Sequence, residues 1–291
     1  MKKIIILLAL FLAGCEEVNI NLLADAGQDA FTAVTLSQED IELLTNASRE
    51  SLDSKHQIAQ PANKYHERLF TLVEQNERFE NQTYNFKVYE SSTVNAFALP
   101  DGSIRIYSGL MDMLDDDELL FVIGHEMGHV HNKDALDKLR VAYGTRAVQK
   151  GLASVRGEVG QVSASWVGDL SNQIVNSQFS QQEEREADDY GLYYITVRGK
   201  DPNAAVSALE KLSTLGSSHT FLSTHPEPGS RAERLKVRIE EANSTVIEPK
   251  TLGEKGKEVY EDIQQKVAAT NTTKVKQSVN KLTGFFERIL N

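Results

Sequence analysis

The chain has 291 residues, enough for one large domain or two small ones, and 40% of them are hydrophobic, an ordinary share for a globular protein. Its 42 Asp+Glu against 31 Lys+Arg give a formal net charge of −11, the wrong sign for a surface that neutralises phosphates, which argues against a nucleic-acid partner. No apolar stretch reaches the roughly 20 residues of a membrane-spanning helix.

Met1-Lys2-Lys3 is a basic start and Ile4 to Leu12 an unbroken apolar run, which together read as a secretory signal peptide over residues 1–14. It ends in Leu12-Ala13-Gly14-Cys15, which is similar to the lipobox of bacterial lipoproteins, so Cys15 is the expected lipidation site and mature N-terminus. Cys15 is also the only cysteine, as expected of an exported chain that spends its thiol on lipid rather than on a disulfide. At about 0.8 kcal/mol per buried CH₂, two or three acyl chains amount to permanent membrane anchoring. Glu16 is not the Asp that favours inner-membrane retention in enterobacterial lipoproteins, so the expected location is the outer membrane, facing the periplasm.

Residues 15–36 read as a polar tether. Ser37, with Glu39 and Asp40 behind it, opens a helix that runs to Gln60-Pro61, and a second helix is predicted over about 62–77. The period then drops to two: Tyr84, Phe86 and Val88, the stretch Val94 to Leu99, and Ile104 with Ile106 predict three short strands, with a turn at Pro100-Asp101-Gly102. Asp115 to Asp117 cap a long helix. Helical stretches follow over about 134–178 and 181–199, the first carrying Gly144, Gly151, Gly157, Gly160 and Gly168, so breaks or a flap are expected there. Asp201-Pro202 starts another helix, and His225-Pro226-Glu227-Pro228-Gly229 makes a rigid turn before a helix around Arg231 to Ile239. Residues 245–291 read as a helical extension beyond a main domain over 37–244.

The long helix carries His125-Glu126-Met127-Gly128-His129. Residues four apart lie about 40° from one another around a helix, so His125 and His129 project side by side and can chelate one ion. Zinc suits two neutral imidazoles, and Glu126 leans over the open coordination position, where it can act as general base toward a water whose pKa zinc lowers toward about 7. Gly128 lets another segment approach the ligands closely. A catalytic site needs a third ligand. His131 points away, about 200° round the helix from His129. The acidic run Glu183-Glu184-Arg185-Glu186-Ala187-Asp188-Asp189 is the better source, although its spacing alone does not choose among its carboxylates.

Several separate stretches together resemble the HtpX/LoiP-like zinc metallopeptidases: Val94 to Ala98, Ile104 to Met113, Ile123 to Val130, Asn176 to Gln181, Glu186 to Tyr190 and His225-Pro226. The similarity spans roughly 25 to 240, with the motifs in the family's order. It implies a mainly helical α+β zincin-like fold with a small sheet beside the active-site helix. It also implies one Zn²⁺ per chain on His125, His129 and Glu184, with Asp188 supporting a ligand histidine. Glu183 and Glu186 remain the alternatives to Glu184. By the same resemblance His225 lies near the zinc, either stabilising the oxyanion or occupying the open position, and Arg231 holds that loop through carboxylates. Asn95, Ala96 and Phe97 would belong to an edge strand whose backbone pairs with an extended peptide substrate. Where family members often have a further histidine after the motif, this chain has Asn132-Lys133-Asp134.

The expected activity is therefore that of a zinc metalloendopeptidase of the bacterial envelope, hydrolysing misfolded or misassembled periplasmic and outer-membrane proteins. The alternative is an envelope chaperone or assembly factor with a latent zinc site and an envelope-assembly protein partner.

Overall fold

A computed structural model of the chain describes residues 36–73, 78–149, 163–216 and 219–244. The signal peptide, Cys15, nearly all of the tether and the 245–291 extension lie outside the described residues. Helix α1 (Gln38–Ser54) begins in a capping box: the Ser37 hydroxyl accepts from the Asp40 amide at 3.1 Å, and the Asp40 carboxylate accepts from the Ser37 amide at 3.0 Å. It stops at Ser54, before Pro61 is reached. Asn63 caps α2 (Lys64–Leu72), shorter than predicted. A hairpin that the sequence pattern does not announce follows, β1 (Arg78–Phe79) and β2 (Gln82–Thr83), turning on Glu80-Asn81 with Glu80 at φ 53°.

The three predicted strands are β3 (Asn85–Tyr89), β4 (Ala96–Ala98) and β5 (Ser103–Tyr107). They form one sheet in the order β3-β5-β4, parallel between β3 and β5 and antiparallel between β4 and β5. β4 is an edge strand. Alternation divides the sheet's side chains between two cores. Phe86, Val88, Ala96, Ala98, Ile104 and Ile106 join the larger one, while Tyr89, Phe97 and Tyr107 join a smaller one with Leu44, Trp166 and Leu170. On that second face Arg105, wholly buried, donates from Nε and Nη2 to the Asp53 carboxylate at 2.8 and 3.1 Å and so ties α1 to the sheet.

The rest is helical: α3 (Ser108–Met113), α4 (Asp116–His131), α5 (Asp134–Gln149), α6 (Ala164–Asn176), α7 (Gln181–Val197), α8 (Asn203–Ser213), α9 (Thr220–Thr224) and α10 (Pro228–Ser244). The stretch predicted helical over 134–178 is thus two helices, with 150–162 outside the described residues. Asp115 starts α4 with a capping box to Glu118, and every residue from Glu118 to Val130 is buried, so α4 is the central rod of the larger core. It crosses α7 on small residues. A Cβ on Gly128 would stand 2.9 Å from the Ala187 Cα, and one on Gly124 would stand 2.8 Å from the Tyr194 Cβ. Glycine at both positions lets the two backbones approach until side chains from each can share one ion. The result is the mainly helical α+β fold with a small sheet that the sequence implies.

Candidate metal centre

Four side chains from two helices and the end of a third converge: His125 and His129 from α4, Glu184 from α7, and His225 at the end of α9. One donor atom of each lies within 4.8 Å of all the others, and all four residues are buried. The His125 and His129 Nε2 atoms are 3.1 Å apart, His225 Nδ1 is 3.3 Å from His125 Nε2, and Glu184 Oε1 is 3.5 Å from His129 Nε2 and 2.9 Å from His225 Nδ1. Bonds of about 2.0–2.1 Å to a tetrahedral ion put neighbouring donors about 3.3 Å apart, so the spacings fit a single metal.

The surroundings fix which nitrogens face inward. His129 Nδ1 donates to Asp134 at 2.8 Å and His125 Nδ1 lies 3.1 Å from Asp188, which leaves each Nε2 lone pair for an ion. Asp188 is itself gripped by Arg231, whose Nε and Nη2 donate to it at 2.9 and 2.6 Å, and the same guanidinium also contacts Glu184. Burial alone would raise the Asp188 carboxyl, but Arg231 prevails and holds it at about 2; the Glu184 carboxyl lies well below its ordinary value for the same reasons, with His225 adding to the pull. Burial lowers His225 to about 4, against the carboxylates around it, so its imidazole is neutral at physiological pH. For His129 burial is outweighed by Asp134 and Glu184, which raise it to about 9 in the absence of metal. Glu126 is wholly buried, both its carboxylate oxygens lack a hydrogen-bond partner among the described residues, and Oε1 lies 3.6 Å from His225 Nε2. An unpaired buried carboxylate is costly. Its position beside four metal donors fits the base of a hydrolytic site, and the donor set fits the metal.

The sequence profile of peptidase family M48 matches residues 59–239. The chain is also 40% identical over 234 residues to the metalloprotease LoiP of Escherichia coli K12, covering 79% of this chain and 93% of that protein. The chain belongs to peptidase family M48. It is a metallopeptidase. The M48 assignment is reinforced by the metalloprotease YcaL of the same organism, 33% identical over 250 residues, with 82% of this chain and 98% of that protein covered. The β-barrel assembly-enhancing protease of Escherichia coli K12 is 28% identical over 179 residues, 57% of this chain and 36% of that protein.

Within this M48 chain the expected residues separate clearly. Glu184 joins the donors, whereas Glu183 spends its carboxylate on the Ser180 amide, at 2.7 Å, in the capping box of α7, and Glu186 lies exposed beside Gln182. His131 points out to Tyr190 and Glu80. Asn95 to Phe97 lie on the edge strand and just before it; all three are buried, and the Phe97 side chain enters the second core. Three neighbours of the centre have no role assigned from the sequence. Asp134, the partner of His129, and Lys138 come from α5, which follows α4 through Lys133 at φ 72°, a turn that no spacing rule anticipates. Phe179, in one of the motif stretches, stacks on His129 with ring centroids 3.6 Å apart.

Proposed function

We propose that this M48 peptidase is a zinc endopeptidase of the bacterial envelope, anchored through Cys15 at the outer membrane and facing the periplasm, which hydrolyses misfolded or misassembled envelope proteins. The observation that carries the catalytic reading is the unpartnered Glu126 carboxylate beside the quartet His125, His129, Glu184 and His225. Imidazole and carboxylate donors in tetrahedral spacing suit zinc. When bound, zinc supplies Lewis acidity that polarises the scissile carbonyl and acidifies the attacking water. Glu126 takes the proton from that water and delivers it to the leaving amine. His225, neutral and held among Phe179, Phe221 and Glu184, would either hold the metal through Nδ1 or steady the developing oxyanion. Asp188 and Asp134 orient the two helix histidines, and Arg231 fixes Asp188. The backbone of β4 and Asn95 receives the substrate as an added strand, which supports cleavage of unfolded segments of many sequences.

The envelope location rests on the leader and the lipobox-like stretch before Cys15, and the catalytic unit on residues 37–244. A chaperone or assembly factor with a latent site, working with an envelope-assembly partner, has one observation in its favour: His225 Nδ1 lies where a fourth donor would close the coordination shell. The two readings differ in their need for a base. Full-length Glu126→Gln is expected to fail in complementing an envelope-stress defect; complementation equal to wild type would favour the chaperone.

A further inference from the structure

Outside the donor quartet, the imidazole of His129 is backed by a layered stack for which hydrolysis has no evident use. Phe179 lies flat on His129, the two planes 4° apart, and the Lys138 ammonium sits 3.0 Å from the centre of the Phe179 ring. Since His129 occupies one face of that ring, Lys138 covers the other. Lys138 follows Asp134 by four residues, so one face of α5 presents both: Asp134 to the ligand His129, and Lys138, one turn on, to the ring beside it.

Unlike the other cations around the centre, this one has no counter-ion among the described residues. Arg231 is bound to Asp188 and Glu184, and Arg234 and Arg238 to Asp189. The Lys138 ammonium makes its one close contact among the described residues with an aromatic face. Burial draws it down to about 7, against the more distant pull of Glu126, Glu184, Glu183 and Asp134. A half-buried ammonium without a paired anion gains from receiving one. Without Lys138 those carboxylates would make this side of the centre repel acidic groups.

We propose that Lys138 forms a subsite for a carboxylate of the substrate, so that the peptidase favours peptides carrying a negative charge close to the scissile bond. The distance suits a residue one or two along from the cleaved bond: one aromatic layer, Phe179, separates the ammonium from the metal-ligand imidazole, with 3.0 Å on one side of it and 3.6 Å on the other, and an extended chain advances about 3.3–3.6 Å per residue. The carboxylate has two possible sources, an acidic side chain or the C-terminus of the peptide. This inference rests on the peptidase reading.

The test uses zinc-loaded full-length protein and matched peptides. One set differs only by Asp or Asn at each of the two positions flanking the scissile bond on either side. A second set ends two residues beyond that bond in a free carboxylate or an amide. The quantity read is the acid-to-amide ratio of kcat/KM, in which any general loss of activity cancels. Wild type is expected to show a ratio of about ten at one position, the scale of a charge-assisted contact. Lys138→Met, which keeps the apolar stem on Phe179, should bring the ratio to about one. Lys138→Glu should invert it, and Lys138→Arg should restore it. Binding of the same peptides to zinc-loaded Glu126→Gln, followed by fluorescence anisotropy, should repeat the order without turnover. Discrimination within the first set alone assigns the subsite to side chains, and within the second alone to chain ends. A wild-type ratio of one throughout, or a ratio that survives in Lys138→Met, overturns the proposal. If wild type neither binds nor cleaves any of the peptides, the peptidase reading fails first.

Discussion

Glu183 and Glu184 are adjacent on one helix, and local bonding gives them different work: the first satisfies the open end of α7, and the second, turned about 100° from it, faces the histidines. The same economy applies to Asp134, which both opens α5 and holds His129 Nδ1. Replacing it with alanine removes the acceptor that sets the ligand's tautomer. Asp134→Ala is therefore expected to weaken zinc affinity by about 10–100-fold in competition with a chromophoric chelator; unchanged affinity would mean that His129 is oriented by Phe179 alone. At this scale much is legible in the sequence alone. His125, Glu126 and His129 follow from helix geometry, and Glu184, Asp188, His225 and Arg231 from motif resemblance. Asp134 and Lys138 were not legible, because an acid and a base four apart after a turn look like any solvated helix face until the direction of α5 is known.

The crossing of α4 and α7 brings those residues together, and its closeness depends on absent side chains. At Gly128 an added methyl would meet the Ala187 backbone at 2.9 Å and the Tyr190 Cβ at 3.0 Å, neither of which is a flexible tip that could swing aside. Gly128→Ala is expected to push α7 outward, lower the melting temperature by several degrees and reduce bound zinc per chain, as read by calorimetry and metal analysis. Wild-type zinc content and melting would show that the crossing has slack. The capped helices were the most readable elements, since Ser37, Asp115 and Ser180 each announce a start with an acid three residues on. The β1-β2 hairpin and α9 were not, being too short for any periodicity. Nor was the strand order, because alternation says which face a side chain takes and nothing about which strand lies at the edge.

For the molecule as a whole, the sheet separates two cores, and the Asp53–Arg105 pair pins the second to the first. Burial would raise the Asp53 carboxyl, but Arg105, Lys87 and Tyr89 together hold it at about 2. That lies below the value of about 3.9 for an unfolded chain, so the charged form stabilises the fold; the contribution is complete above about pH 4 and fades as pH falls toward 2. Asp53→Asn leaves the buried Arg105 without its counter-ion and should lose about 3 kcal/mol in urea unfolding at neutral pH, with the gap to wild type closing between pH 4 and 2. A gap that persists at pH 2 would assign the loss to packing. Such a pinned scaffold matters because the donors of the centre come from three separate chain segments, α4, α7 and the end of α9, whose joint chemistry is open to direct test. Zinc content should be measured alongside casein cleavage for wild type, Glu126→Gln and Glu184→Ala. Wild type should bind one zinc and cleave, Glu126→Gln should keep the zinc and lose cleavage by at least about 100-fold, and Glu184→Ala should lose both. Casein cleavage retained by Glu126→Gln, or full zinc occupancy in Glu184→Ala, would contradict the account.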